Sequence, residues 1–224
     1  MRRFVRDNSL SLFFLVIFLA ALVGQAIAGH ILHNEDATAH GEETISIWRY
    51  IVSSDFGQAV MENWQSEYLQ FMLFMLATVW LVQRGSPESK PPGEAGRESD
   101  EKQRTGPHAQ PDSPKWAKER GIKAFLYENS LLIVMAAIWL GSWFAQSVTG
   151  VSEYNADRLD HHQLAVSWFD YLGRPDFWEK TLQNWQSEFL AVGSMAILAV
   201  YLRQRGSPES KPVGASHETT GMEG

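Results

Sequence analysis

A chain of 224 residues with 45% apolar side chains is long enough for one soluble domain or a small membrane protein, and average hydropathy does not decide because polar stretches dilute the apolar runs. The net charge of −7 comes with no patch that interleaves basic and aromatic residues, which excludes a nucleic-acid partner. There is no cysteine, so neither a disulfide framework nor thiolate chemistry is available.

Residues 10–28 run nineteen positions without a charge, directly after Asn8-Ser9, a pair suited to capping a helix start. This is the length of a membrane-spanning helix. Met1-Arg2-Arg3 and Ala26-Ile27-Ala28 imitate a secretory signal, but the matching later run is internal, so the expectation is an uncleaved first span. An external loop follows, in which Ile45, Trp48, Ile51 and Val52 recur at helical spacing and predict a short amphipathic helix on the membrane surface.

Asp55-Phe56-Gly57-Gln58 resembles a capping box and predicts a helix that starts well before the next apolar run and continues to Arg84. Its end is marked by Gly85 and Pro87, with Arg84 placed to reach the interface. The segment 92–121 is rich in Pro, Gly, Ser, Glu and Lys and predicts a flexible linker, as does the tail 213–224.

After the linker the pattern begins again. Trp64-Gln65-Ser66-Glu67 returns as Trp185-Gln186-Ser187-Glu188, and residues 83–91 return letter for letter as 204–212. Both pairs are offset by 121 positions (185 − 64 and 204 − 83), and 32 of the 88 positions from 4–91 are identical in 125–212. The chain therefore divides into a first two-helix membrane repeat over 1–91, with spans near 10–28 and 63–83, and a second over 122–212, with spans near 131–149 and 184–204. A helix stop accounts for Arg-Gly-Ser-Pro in the shared segment but not for Glu-Ser-Lys-Pro; recent duplication and a partner-binding tail both remain open.

The expected fold is all-α: four transmembrane helices in two parallel repeats, forming a pseudo-twofold bundle related by an axis along the membrane normal. Fifteen Lys and Arg fall on the side of the termini and linker, and four (Arg49, Arg158, Arg174 and Lys180) on the other. The positive-inside rule then places both termini in the cytoplasm.

Chemistry is carried most strongly by Asn63, Glu67 and Gln70, which share a face at i, i+4, i+7, and by their counterparts Asn184 and Glu188. Counted at 1.5 Å per residue, Glu67, Glu188, Gln25 and Gln146 fall at one depth, about 22 Å from the cytoplasmic edge. A carboxylate so deep implies a ligand site, here a polar cavity for a cation, a proton or a small polar molecule. The competing reading puts this level in the outer headgroups, where Trp64 and Trp185 form an aromatic belt, with Arg84 and Arg205 anchoring the opposite interface. His30, His33, His40, His161 and His162 stand with Asp and Glu in the external loops as weak metal candidates, without a compact zinc signature. No phosphate loop, nucleophile elbow or cofactor motif is present, so a non-enzymatic protein without cofactor is expected.

The Asn-Ser-Leu helix start, Trp-Gln-Ser-Glu-(Tyr/Phe)-Leu and the duplicated Gln-Arg-Gly-Ser-Pro-Glu-Ser-Lys-Pro together resemble a family of bacterial integral membrane proteins known only as a domain of unknown function. The resemblance covers nearly the whole chain outside linker and tail. It implies a multi-pass protein of the bacterial cytoplasmic membrane and supplies no mechanism; the lipid bilayer is the expected partner, and pairing with a second copy of the chain is left open. Two functions follow as expectations: transport or sensing of a small polar or cationic species through the polar cluster, or a structural adaptor that docks a partner through linker and tail.

Overall fold

The computed structural model describes residues 2–222. Those residues are all-α, with nine α-helices and no strand among them. In chain order they are α1 (Arg2–Asp7), α2 (Ser9–His40), α3 (Ile47–Tyr50), α4 (Ser54–Trp80), α5 (Asp100–Gln103), α6 (Ile122–Glu128), α7 (Ser130–Asp160), α8 (Trp168–Leu172) and α9 (Pro175–Tyr201).

Two helices, α2 and α7, are long and apolar enough to cross a membrane by length and composition. At 1.5 Å per residue, the 32 residues of α2 extend about 48 Å. Its apolar side chains point outward on all sides: Leu10 is 71% exposed, Val16 65% and Val23 57%. The shorter α4 and α9, 27 residues each, are less apolar, because their first halves carry Asp55, Glu62 and Glu67, and Asp176, Glu179, Lys180 and Glu188.

Both α2 and α7 continue some eleven residues past their apolar runs, into what the sequence suggests is loop. Nothing in 29–40 breaks a helix, and α2 stops only where Gly41 takes the left-handed conformation and its N–H bonds back to the last turn. The amphipathic surface helices are single turns, α3 and α8, with Trp48 and Phe169 outward and Tyr50 and Tyr171 buried. The start of α4 also differs from the capping-box expectation. Ser53 Oγ accepts the Phe56 N–H at 3.4 Å, while Asp55 is engaged elsewhere.

The chain forms two compact units, each drawing on both halves of the sequence. The first holds the chain up to Met61 together with Ala145–Tyr171. Within it, one asparagine per half clamps the loop that follows a long helix. Asn34 Nδ2 donates to the Ile45 carbonyl at 3.0 Å while its Oδ1 accepts the Ile45 N–H at 2.9 Å. Asn155 makes the same two bonds to Val166 at 2.9 and 2.8 Å, 121 positions on. The clamp satisfies both backbone groups of a loop residue that no helix ladder serves. Past each clamp, a tyrosine packs against a glycine of the long helix: a Cβ on Gly29 would collide with the Tyr50 hydroxyl, and one on Gly150 would lie 2.6 Å from the Tyr171 hydroxyl.

The second unit contains Glu62–Phe144 and the chain from Leu172 onward. Its helices α4 and α9 end at Trp80 and Tyr201, a few residues before Arg84 and Arg205, because two serines intercept the backbone. Ser89 Oγ accepts the Gln83 N–H, and Ser210 Oγ accepts the Gln204 N–H, each at 2.9 Å. A turn closes in front of each serine, with Gly85 and Gly206 at φ of 88° and 79°. The nine recurring residues are thus one folded hook, which explains why Glu-Ser-Lys-Pro recurs along with the helix stop.

The lysine of each hook captures the chain beyond it. Lys211, almost fully buried, donates to the carbonyls of Ser216, His217 and Thr219, and Lys90 donates to that of Gly96. The captured C-terminal segment then meets the first hook, where Thr220 Oγ1 accepts the Gly85 N–H and the Gly221 N–H donates to the Ser86 carbonyl. Between the hooks, the segment 92–121 carries α5 and two short 3₁₀ turns, Gly106–His108 and Lys115–Lys118.

The tyrosine–glycine contacts give a direct test. Gly29→Ala and Gly150→Ala are each expected to destabilise the protein by about 1–3 kcal/mol through overpacking. Tyr50→Phe, by removing the colliding hydroxyl, is expected to restore part of the loss in Gly29→Ala. Thermal unfolding of the four proteins measures it, and unchanged melting in Gly150→Ala would contradict the close approach.

Candidate functional site

The second unit brings the two Trp-Gln-Ser-Glu segments together. Trp185 Nε1 donates to Gln65 Oε1 at 2.8 Å, and Asn184 Nδ2 donates to Glu62 Oε1 at 2.8 Å. Glu67 follows Gln65 by two residues on α4 and Glu188 follows Trp185 by three on α9, so both carboxylates flank the bonded pair. Three carboxylates, Glu62, Glu67 and Glu188, therefore belong to one stretch of α4 and α9, with Asn184 bound to the first.

The buried face of α4 here is Gln65, Ser66 and Leu69, while Asn63 and Glu67 are exposed. Gln70 turns toward an apolar groove lined by Leu73, Phe74, Phe189 and Val192. Trp64 is half-buried, and Arg84 and Arg205 are exposed. Glu62 and Gln65 escape a reading based on the repeated motif alone, since Glu62 is replaced by Gln183 in the other half. The signal that finds them is helical spacing: Gln58, Glu62, Gln65 and Leu69 follow i, i+4, i+7, i+11, and all except Glu62 are buried.

An aromatic stack covers the α9 side. Trp143 stacks on Trp139 at 5.8 Å and on Phe177 at 6.2 Å, and meets Trp185 at 6.0 Å. Phe177, Thr181 and Trp185 are spaced by four along α9, so Thr181, fully buried, faces the Trp143 ring between its two neighbours. Thr181 Oγ1, Gln65 Nε2 and the Trp139 and Trp143 indole N–H groups have no hydrogen-bond partner among the described residues. Buried polar groups left in this state cost free energy unless a guest meets them. The first half has Phe18 and Leu22 where Trp139 and Trp143 stand, so the stack belongs to one half only.

Gln25 and Gln146 belong to the first unit. Gln25 is exposed on α2; Gln146 is buried on α7, its Oε1 unpartnered. The histidines divide similarly. His33 Nδ1 pairs with Asp55 at 2.8 Å, its ring 5.6 Å from that of Tyr50. His30 Nε2 lies 2.6 Å from the Ile45 carbonyl and 2.9 Å from Asn34 Nδ2. Burial, then the Asp55 and Glu153 charges, push the Tyr50 phenol above its ordinary value, so it stays neutral among these groups. His40 and His161 each sit 3.5 Å from an aspartate one turn earlier, and the Asp36 carbonyl raises the His40 imidazole above its ordinary value. His162 adopts a left-handed backbone, φ 57°. Among the described residues no three His, Asp or Glu side chains are grouped so as to hold a metal.

The family profile described as "Domain of unknown function (DUF6766)" matches residues 1–222. The chain belongs to this family. DUF6766 thus extends across both halves and the segment between them, and the family description assigns no activity. No curated protein and no solved structure matches the chain.

The Trp185–Gln65 bond makes an asymmetric prediction. Trp185→Phe leaves the whole Gln65 amide buried without a partner and is expected to cost about 1–3 kcal/mol, whereas Gln65→Met removes that amide and strands only the indole N–H of the half-buried Trp185, so it is expected to cost less. Denaturant unfolding of the two variants checks this; a larger loss for Gln65→Met would contradict the packing described.

Proposed function

We propose that this DUF6766 protein is a multi-pass integral membrane protein that binds a small cationic species at the level of Glu67 and Glu188, for transport or sensing and without catalysis. The observation that carries the reading is the meeting of two acidic segments, one from each half of the sequence, on helices whose remaining length is apolar. Like charges brought together on two paired helices repel, and a cation or shared proton relieves that repulsion. Away from bulk water the attraction for a cation grows, because less solvent screens it.

The membrane part of the proposal is supported by α2, whose apolar surface has no cover of its own. An all-round apolar helix is stable either inside a large core or in lipid. In the bilayer arrangement we infer four spans, with α4 and α9 crossing by their apolar second halves and the two halves entering with equal polarity as a pseudo-twofold bundle. The excess of basic residues near the termini and in 92–121 favours a cytoplasmic location for both.

The adaptor reading draws less support. Ser86, Ser89, Ser207, Ser210, Lys90 and Lys211 are spent on bonds within the hooks and the chain they capture, which leaves few of their polar groups for a partner.

The test is cation uptake by vesicles containing the full-length protein. Wild type is expected to exceed empty vesicles for at least one of protons, alkali cations and organic ammonium ions. The double variant Glu67→Gln, Glu188→Gln is expected to lose about tenfold or more while keeping the helical signal and melting behaviour of wild type. Retained uptake in the double variant would remove the carboxylates from the mechanism.

A further inference from the structure

In the second unit, two cavities share a wall at Leu76 and Trp80 of α4. One is an open chamber of about 920 Å³, lined by the apolar Met75, Val79 and Leu131 and by solvent-exposed charged residues that include Arg97, Arg104 and Glu128. The other is a groove of about 570 Å³ that runs along α4 beside α9, lined by Leu73, Phe74, Ala77, Leu81, Phe189 and Val192. Each volume suits a small-molecule site, for which about 300–1,000 Å³ is usual. Adjoining at Leu76 and Trp80, they offer a polar compartment beside an apolar one.

The charges in the chamber are of two kinds. Lys90 and Glu98 lie 3.5 Å apart, and Glu98 is also bonded by Gln103, so these are mutually occupied. The guanidinium groups of Arg97 and Arg104 line the same chamber with no hydrogen-bond or ion-pair partner among the described residues, and so do the carboxylates of Asp100, Asp112 and Glu128. Free cations and free anions lining one chamber, without pairing to each other, complement a ligand that carries both signs. Guanidinium is suited to the forked geometry of phosphate, and a primary ammonium supplies three donors for carboxylates. Trp80 sits where the polar and apolar compartments meet, the position an amphipathic ring favours at a membrane interface.

We infer that the joined cavities hold one zwitterionic phospholipid with a phosphoethanolamine headgroup. Its phosphate meets Arg97 and Arg104, its ammonium meets Asp100, Asp112 and Glu128, and an acyl chain lies in the groove beside Ala77 and Phe189. The groove follows about 10 Å of helix from Leu73 to Trp80, enough to hold the part of the chain nearest the glycerol. This inference rests on the membrane reading proposed above, and concerns a different end of α4 from Glu67.

Full-length protein, purified in mild detergent from nanodiscs made with equal amounts of phosphatidylethanolamine, phosphatidylglycerol and phosphatidylcholine, tests it by native mass spectrometry. One phosphatidylethanolamine is expected to remain bound, at least tenfold enriched over the other two lipids. The pair Arg97→Gln, Arg104→Gln and the single variant Ala77→Phe are each expected to lose that enrichment with wild-type melting. Free phosphoethanolamine at millimolar concentration is expected not to displace the lipid; displacement would mean that the headgroup alone is the ligand and would overturn the joined site. Equal retention of the three lipids, preference for phosphatidylglycerol, or enrichment unaffected by the variants would each overturn it while leaving a bilayer-embedded protein intact. Protein that fails to enter the nanodiscs at all would overturn the membrane reading together with this site.

Discussion

The physical constraint on which the rest depends is that α2 carries an apolar surface the protein itself does not cover. Leu10, Val16 and Val23 are each more than half exposed on one long helix. At roughly 25 cal/mol per Å² of apolar area, a helix surface of this kind in water carries a penalty of many kcal/mol. In the membrane reading proposed above, lipid removes that penalty and adds its own demand, that every backbone group be satisfied within the protein. The helices meet it along their lengths, and the polar chemistry gathers where they end.

Those ends are held by a small set of polar anchors, used twice. Asn34 and Asn155 each take both backbone groups of one loop residue, and Gly29 and Gly150 each admit a tyrosine. Ser89 and Ser210 stop their helices by the same bond. Differences lie in what surrounds the anchors. His30 and His33 flank Tyr50 where Val151 and Tyr154 stand in the other half, and Trp139 and Trp143 build an aromatic stack where Phe18 and Leu22 stand. The shared residues hold the architecture and the unshared ones give each half its own chemistry.

Much of this was legible in the letters. The long apolar runs announce α2 and α7 because a bilayer-length stretch without charge has few other uses, and Gly85 and Gly206 announce left-handed turns. Helix ends were less legible: residues 29–40 lose apolarity without containing a breaker, so α2 continues to His40. The face of α4 was not legible from polarity alone, since Asn63, Glu67, Glu62 and Gln65 are all polar, and only packing distinguishes the buried Gln65 from the exposed Glu67. The Asn34 and Asn155 clamps join residues eleven apart, a spacing no helical or strand period singles out. Their identity in both halves, at a position with no apolar role, was the available sign. Similarly, the full recurrence of the hook was visible, but its cause, a serine reaching back six residues, required the structure.

Depth measurement along α2 addresses the central claim most directly, and the absence of native cysteine makes it clean. Spin labels on Phe14→Cys, Val16→Cys, Leu19→Cys and Val23→Cys, placed one at a time in the reconstituted protein, report collisions with oxygen and with a water-soluble nickel chelate. Labels at all four sites are expected to favour oxygen, with depth changing smoothly along the helix, whereas a label on His40→Cys favours the chelate. Chelate access at Val16 equal to that at His40 would show α2 in water and contradict the account.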